Sequence, residues 1–244
     1  MAARLPPEQA GRAPLPEGPA EVEVRSATYT WRDAAGRPLF QLGPVDLRIE
    51  AGQIVFITGG NGSGKSTLLR MISGLLPPEI GTISCRGETV TADNLQTHRD
   101  GIGVIPSDPH LFRRPYGLAR DPAQVAALLE EYGLTGKVAL LPDGSWDGVA
   151  LSGGQRKPLA MVSLLLAAPP IVILDEWAAD QDPAFRRRFY EHILPELRTR
   201  QCAALCATHD SRYFAVVDQC YILRDGRLMP STQDGPPRSP EAAA

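Results

Sequence analysis

The chain has no unbroken apolar segment long enough to cross a bilayer. Its longest apolar stretch, Leu159 to Leu174, is interrupted by Pro169-Pro170, whereas a spanning helix needs about 20 consecutive apolar residues. The first residues lack the apolar centre of a secretory signal. A soluble protein is expected, with any membrane role arising through a partner. Excess positive charge is also missing. A formal net charge of −3 gives no bulk attraction for a polyanion, so no nucleic-acid partner is expected. Cysteine is scarce, and Cys85, Cys202, Cys206 and Cys220 show neither a C-x-x-C pair nor zinc-ligand spacing. Buried free thiols in a reducing compartment are the expectation. No internal repeat is present, and no [NT]-K-x-D guanine-reading motif.

The length of 244 residues suits one α/β domain, large enough to bury roughly 70–75% of the surface of its unfolded form. Residues 1–20 and 230–244 are rich in small residues and proline with little to bury, which predicts a disordered leader and tail around a domain over 21–229.

The stretch that carries most chemistry is Gly59-Gly60-Asn61-Gly62-Ser63-Gly64-Lys65-Ser66-Thr67. It fits G-x-x-x-x-G-K-[ST]. An apolar β-branched run, Ile54 to Ile57, leads in, and a periodic helix with Leu68, Ile72 and Leu75 leads out. Glycines let successive N–H groups turn inward as an anion-binding nest. A helix starting near Gly64 aims its free N–H groups and dipole at the same place. Lys65 supplies a compact charge for β- and γ-phosphates, and the Ser66 hydroxyl is placed to hold Mg²⁺. A nucleoside triphosphate is the expected ligand.

Around this loop the text changes period. Between Glu21 and Gly52 apolar residues alternate, predicting short antiparallel strands with turns near Ala35-Gly36 and Gly43-Pro44. Ile80 to Val90 could complete that sheet, and Ile102 to Ile105 reads as a short buried strand. The region of about 108–167 reads as a helical arm. In it, Asp121-Pro122 caps one helix and Gln155 to Ala167 forms another, with Pro158 tolerable if the helix begins at Gly154 or Gln155. Ile171 to Leu174 and Ala203 to Ala207 are buried strands, Asp182-Pro183 starts a helix that Pro195 should kink or shorten, and Tyr221 to Leu228 reads as a hairpin around Asp225-Gly226.

Two further pieces bear on chemistry. Asp175-Glu176 leaves a buried strand where α/β folds bind ligands. Asp175 can hold Mg²⁺ and Glu176 can polarise the water that attacks a γ-phosphate. Ser152-Gly153-Gly154-Gln155 opens a helix and makes a second anion receptor. One nucleotide does not need two such receptors in one subunit, so two subunits are expected, each offering this turn to the nucleotide of the other.

In order and approximate spacing, Gly59–Thr67, Leu151–Gln155, Asp175-Glu176, Asp182 and His209 resemble the motifs of ATP-binding-cassette (ABC) ATPases over about residues 22–229. The resemblance implies a phosphate-loop NTPase fold: a RecA-like α/β core with an antiparallel β subdomain and a helical subdomain. It implies ATP and Mg²⁺ as cofactors and a head-to-tail dimer with a second copy or a paralogous ATPase. By that resemblance His209 is a switch residue at the γ-phosphate, Asp182 belongs to a loop crossing the dimer interface, and Trp31 lies under the adenine. Lys65, Glu176 and His209 are then the catalytic set. Tyr29 shares the Trp31 face of its strand, so one of the two could simply be core.

Ser107 stands where the family usually carries a glutamine touching Mg²⁺ and the attacking water. A serine is too short for that contact, so coupling through water or Asp108 is expected. Trp177 replaces the usual proline after Glu176. The run Leu174 to Phe185, with Gly154-Gln155-Arg156-Lys157, is similar to a branch that exports cyclic peptides and siderophores, whose members usually carry a fused membrane domain. The resemblance therefore implies an exporter ATPase working with a separate transmembrane permease, on the cytoplasmic face of the cell membrane. A soluble cassette ATPase in assembly or maintenance is the alternative. A phosphate-loop kinase or GTPase would leave Leu151–Gln155 without a role.

Overall fold

A computed structural model describes residues 11–112, 121–147, 151–179 and 181–231. Residues 1–10 of the expected leader, 232–244 of the tail, parts of the helical arm and Asp180 lie outside the described residues.

The chain runs β1 (Val22–Arg32), β2 (Pro38–Ile49), β3 (Ile54–Thr58), α1 (Lys65–Ile72), β4 (Ile80–Cys85), β5 (Glu88–Thr89), α2 (Leu95–Asp100) and β6 (Ile102–Ile105). It continues through α3 (Pro122–Glu131), α4 (Gly153–Ala167), β7 (Ile171–Asp175), α5 (Pro183–Arg188), α6 (Leu194–Thr199), β8 (Ala203–Ala207), β9 (Gln219–Arg224) and β10 (Arg227–Pro230). Among the described residues no helix is long and apolar enough to cross a membrane.

Two sheets organise these elements. A four-stranded antiparallel sheet has the order β2-β1-β4-β5, and a six-stranded sheet has the order β10-β9-β3-β8-β7-β6. In the second, β3, β6, β7, β8 and β9 run parallel, and only β10 returns antiparallel as a hairpin. The apolar runs in β3, β7 and β8 have the pattern of parallel strands covered on both faces, with Ile54 to Ile57, Ile171 to Leu174 and Ala203 to Ala207 all buried. The alternation in β1 and β2 instead turns Val22, Val24, Leu47 and Ile49 inward. One cluster of buried side chains lies between the two sheets around α1. The other covers the opposite face of the six-stranded sheet with α3, α4 and α6.

Several local expectations are corrected. Gly43-Pro44 is not a turn between strands, because β2 passes straight through it. Tyr29 pairs with Leu42 and Ala27 with Val45 across a register shift. A bulge therefore carries the proline, and the Gly43 amide donates instead to the Gly226 carbonyl at 2.7 Å in the β9–β10 turn. Leu75 lies beyond the end of α1 and is exposed. Leu69 and Met71 fill the buried face with Leu68 and Ile72. The segment from Ile80 to Val90 forms two strands separated by a turn, not one.

Residues 11–20, expected in a disordered leader, are tied down by backbone pairing: Gly11 N donates to Ala92 O at 2.7 Å and Ala13 N to Asp93 O at 2.8 Å. The helix α4 starts at Gly153, earlier than expected, which puts Pro158 inside it. The helix that Pro195 was expected to kink or shorten keeps regular α geometry only to Arg188; a π-helical turn, Phe189–Ile193, then carries the chain into α6, so it stays helical past the missing proline N–H.

Candidate functional site

Strand register brings the site together. Ile57 of β3 pairs with Ala207 of β8, and Ala207 pairs with Asp175 of β7, so three neighbouring parallel strands end at one level. The loop 59–64 leaves β3, Thr208-His209 leaves β8 and Glu176 leaves β7. Residues more than a hundred positions apart in sequence therefore meet at the carboxyl edge of one sheet, where such folds bind ligands.

The loop is held in shape by sterics. Gly64 takes the N-cap position of α1 with φ 108°, a conformation that L side chains rarely adopt, and a Cβ there would run into the Phe40 ring. Lys65 is only 6% exposed, so its charge must be partnered. Its Nζ donates to Gly59 O at 2.8 Å and Gly60 O at 3.2 Å, curling the loop around the ammonium group. The first amides of α1 have no i−4 carbonyl and face the same hollow.

Ser66 Oγ donates to Asp175 Oδ2 at 3.0 Å. Burial pushes the Asp175 carboxyl above its usual range, and the Ser66 hydrogen bond works against that shift. A divalent cation between these two oxygens would relieve the same penalty. Among the described residues no three His, Cys, Asp or Glu side chains cluster to hold a metal alone. Ser66 and Asp175 thus fit Mg²⁺, which takes its remaining ligands from phosphates and water. The Ser63 hydroxyl, buried and without a partner, adds a free polar atom inside the same loop.

Glu176 has φ 49°, left-handed backbone that is costly for a non-glycine residue. Its N–H is fixed to Ala207 O at 3.0 Å. The turn sends the Glu176 carboxylate away from Asp175, so that Oε1 lies 3.5 Å from Lys65 Nζ and accepts from His209 Nε2 at 2.9 Å. Lys65, Glu176 and His209 are therefore assembled around one point. A cavity of about 340 Å³ opens beside Glu176 and His209, walled by Arg186, Tyr190, Thr208 and Asp210.

Trp31 joins the site through Thr67, whose Oγ1 accepts from the indole Nε1 at 3.1 Å. Tyr29 and Trp31 are both half-buried and meet edge to face, with ring centroids 5.2 Å apart, so neither is simply core. Ser152 and Asp182 are different. Gln155 Oε1 accepts from Ser152 N at 3.2 Å at the start of α4, and Asp182 Oδ1 caps α5 by accepting from Ala184 N and Phe185 N, each at 3.0 Å. Among the described residues no hydrogen bond links Ser152–Gln155 or Asp182 to the phosphate loop of the same chain.

The sequence reading missed several supports. Tyr190, in the π-helical turn, shares a 2.8 Å hydrogen bond with Thr208 and stacks on Tyr213 at 4.1 Å, bracing the residue before His209. Arg186 donates to the carbonyls of Ala178, Ala179 and Gln181, holding the loop between Glu176 and Asp182. Lys157 is buried and donates to Glu176 O at 3.0 Å. A signal for it was present, since Lys157 falls on the apolar stripe of α4 with Met161, Leu164 and Leu165.

The ABC transporter family model matches residues 42–179. The chain is 41% identical over 214 residues to the ATP-binding protein SyrD of Pseudomonas syringae pv. syringae, covering 85% of this chain and 38% of that protein. It is 35% identical to the methionine import ATP-binding protein MetN of Nocardia farcinica, covering 91% of this chain and 71% of that one. A bacterial Atm1-family ABC exporter with ATP bound superposes with a TM-score of 0.72 at 25% identity, over 91% of this chain and 41% of the exporter. The chain thus spans about two fifths of the SyrD protein and of the Atm1-family exporter. On the family match, these identities and the site geometry together, the chain belongs to the ABC transporter family.

Proposed function

We propose that this chain is the ATP-hydrolysing subunit of an exporter, working as a head-to-tail pair with a second copy or a paralogous ATPase on a separate membrane permease at the cytoplasmic face. The observation that carries the pairing is the separation of two anion receptors in one chain. The phosphate loop is complete with Lys65, Ser66, Asp175, Glu176 and His209, while the Ser152 turn at the start of α4 is exposed and unconnected to it. In the pair, Ser152, Gly153, Gly154 and Gln155 of one copy close over the nucleotide held by the other, with Asp182 in the crossing loop.

In hydrolysis, Glu176 accepts a proton from the attacking water as the water oxygen bonds to the γ-phosphorus. The bond from that phosphorus to the bridging oxygen breaks, and ADP leaves with its electron pair. Lys65 spreads the growing charge on the phosphoryl oxygens, and His209 keeps the Glu176 carboxylate aimed. Mg²⁺ held by Ser66 and Asp175 would neutralise charge on the β- and γ-phosphates. Ser107 follows β6, whose Ile105 pairs with Leu174, so it lies beside the end of the acidic strand and can act there only through water or Asp108. Ser107→Ala should therefore alter Mg²⁺ affinity or partner-stimulated hydrolysis, and unchanged values of both remove Ser107 from the mechanism.

Trp31 is the proposed adenine platform. Trp31→Ala should weaken ATP binding by about 1–3 kcal/mol, the usual worth of one base stacked on an aromatic ring. Tyr29→Ala should weaken it less. Calorimetry of both variants tests the assignment, and a reversed order moves the platform to Tyr29.

Export rests on the likeness of Leu174 to Phe185 to one exporter branch and on the exporter among the solved structures. An import protein among the relatives shows that the ATPase core alone does not set direction. Purifying the tagged chain from the membranes of its own cells decides the partnership. A polytopic membrane protein in fixed stoichiometry, which stimulates hydrolysis when reconstituted, is expected. A chain found wholly in the soluble fraction, with full activity alone, would favour the assembly or maintenance role.

A further inference from the structure

Lys157 and Trp177 tie the start of α4 to the turn that carries Glu176. Lys157 is 4% exposed and Trp177 1%. The bonds run in both directions: Lys157 Nζ donates to Glu176 O at 3.0 Å, and Trp177 Nε1 donates to Lys157 O at 3.1 Å. One residue's side chain and backbone are therefore both fixed to the Glu176-Trp177 pair. Trp177 cannot swing away from this contact, because its ring packs against Phe189 at 4.5 Å and Phe185 at 5.7 Å.

The bond to the Glu176 carbonyl matters for a second reason. Glu176 sits at φ 49°, and its N–H is already committed to Ala207 O at 3.0 Å. A strained left-handed residue persists only where its surroundings over-determine it. Lys157 supplies the constraint on the carbonyl side, and the direction of the Glu176 carboxylate follows from the backbone held between these two bonds. Lys157 lies little more than one helical turn from Ser152, the residue expected to close on the nucleotide of the partner copy. The amides of Gln155 and Arg156 bond back to Ser152 O at 2.9 and 3.2 Å, before Pro158 interrupts the ladder, so displacement or rotation of the helix N-terminus reaches Lys157.

We infer that Lys157 is a positioning residue which couples the two ATP sites: engagement of the Ser152 turn with one nucleotide sets, through Lys157 and Trp177, the backbone of the Glu176 that acts on the other. This rests on the paired reading above. ATP at one site presses on α4 of a given chain, and α4 holds the carboxylate that serves the loop of that same chain. The signal thus crosses between sites within one polypeptide.

The test uses the full chain with two variants. Lys157→Met keeps an unbranched apolar stem and removes the donor, while Trp177→Phe keeps a ring among Phe185 and Phe189 and removes the indole N–H together with the five-membered ring that carries it. Wild-type hydrolysis should be sigmoidal in ATP, with a Hill coefficient above 1 and bounded by the two sites. Lys157→Met should leave ATP affinity of the separated subunit unchanged, because the phosphate loop is untouched. It should lower kcat by about 10²-fold, the usual effect of a small misplacement of a reacting group, and bring the Hill coefficient to 1.

Trp177→Phe should change the Hill coefficient in the same direction, with thermal melting reporting whether each variant is folded. A purely structural role would lower the melting temperature and leave the Hill coefficient alone. Variants that keep both kcat and cooperativity overturn the coupling, as does a folded Trp177→Phe with full cooperativity should Lys157→Met fail to fold. Light scattering of the wild type with Mg-ATP separates the two failures. A wild type that stays monomeric refutes the pairing itself, whereas a wild type that pairs beside unaffected variants refutes only the role of Lys157.

Discussion

Glu176→Gln is expected to slow ATP hydrolysis by about 10²–10⁴-fold, the range for loss of a general base, or roughly 3–5 kcal/mol of barrier. ATP binding should survive, because Lys65 keeps its bonds to the Gly59 and Gly60 carbonyls without Glu176. Glutamine preserves the shape and can still meet His209, which now lies 2.9 Å from Oε1, but it cannot take a proton from water. The variant should also accumulate as a pair when saturated with Mg-ATP, since closure no longer ends in hydrolysis. Single-turnover kinetics and light scattering together check both halves. Hydrolysis at the normal rate removes Glu176 as the base. A variant that remains monomeric with Mg-ATP, even with its membrane partner supplied, removes the two-subunit engine.

Lys65→Ala should act on the other side of the cycle and abolish tight binding. Its ammonium group is buried and bonded to the loop it serves. Truncating one partner of a buried, hydrogen-bonded charge pair costs about 2–5 kcal/mol, which corresponds to roughly 30- to 4,000-fold in Kd for ATP. The loop itself should persist, because Gly64 and the sterics against Phe40 define its path independently of the lysine. Calorimetric titration with ATP, with melting temperature as the control, measures the effect. An affinity within threefold of wild type would place the triphosphate elsewhere. The two substitutions should differ in kind: Glu176→Gln binds and stalls, Lys65→Ala scarcely binds.

The supports around His209 explain why such changes should stay local. Tyr190 holds Thr208 from a π-helical turn, Thr208 Oγ1 in turn accepts from Asp210 N at 3.0 Å, and Asp210 pairs with Arg212 at 2.8 Å. The residues on either side of His209 are thus bonded independently of its imidazole. The imidazole itself, whose side chain is 46% exposed, is held through Glu176 at 2.9 Å, so in the proposed mechanism it can move with that carboxylate while the loop around it stays in place.

What the sequence by itself determined was whatever depends on neighbours within a few residues. The phosphate loop, the proline-started helices capped by Asp121 and Asp182, the β9–β10 hairpin at Asp225-Gly226 and the apolar strands all follow from short-range sterics and periodicity, and each lies where the pattern put it, with the bounds of the strands and hairpin moving by one or two residues; Ile102–Ile105, expected to be buried, is instead an edge strand with Val104 exposed. Candidates for the site were also legible, because lysine, serine and carboxylate chemistry is legible in residue type. Their meeting was not. Ser66 and Asp175 are 109 positions apart, and Glu176 and His209 are 33 apart; only the order β3-β8-β7 brings them to one edge.

Strand order is a property of the whole packed sheet, so local patterns cannot encode it. The same limit hid the bulge at Gly43-Pro44, where proline and glycine spell a turn but pairing with β1 on both sides keeps the strand continuous. For Lys157 the apolar stripe of α4 signalled burial, but its partner was hidden: only the fold brings the Glu176 carbonyl to it. Tertiary structure decided these because a buried donor must find its partner wherever the fold puts one.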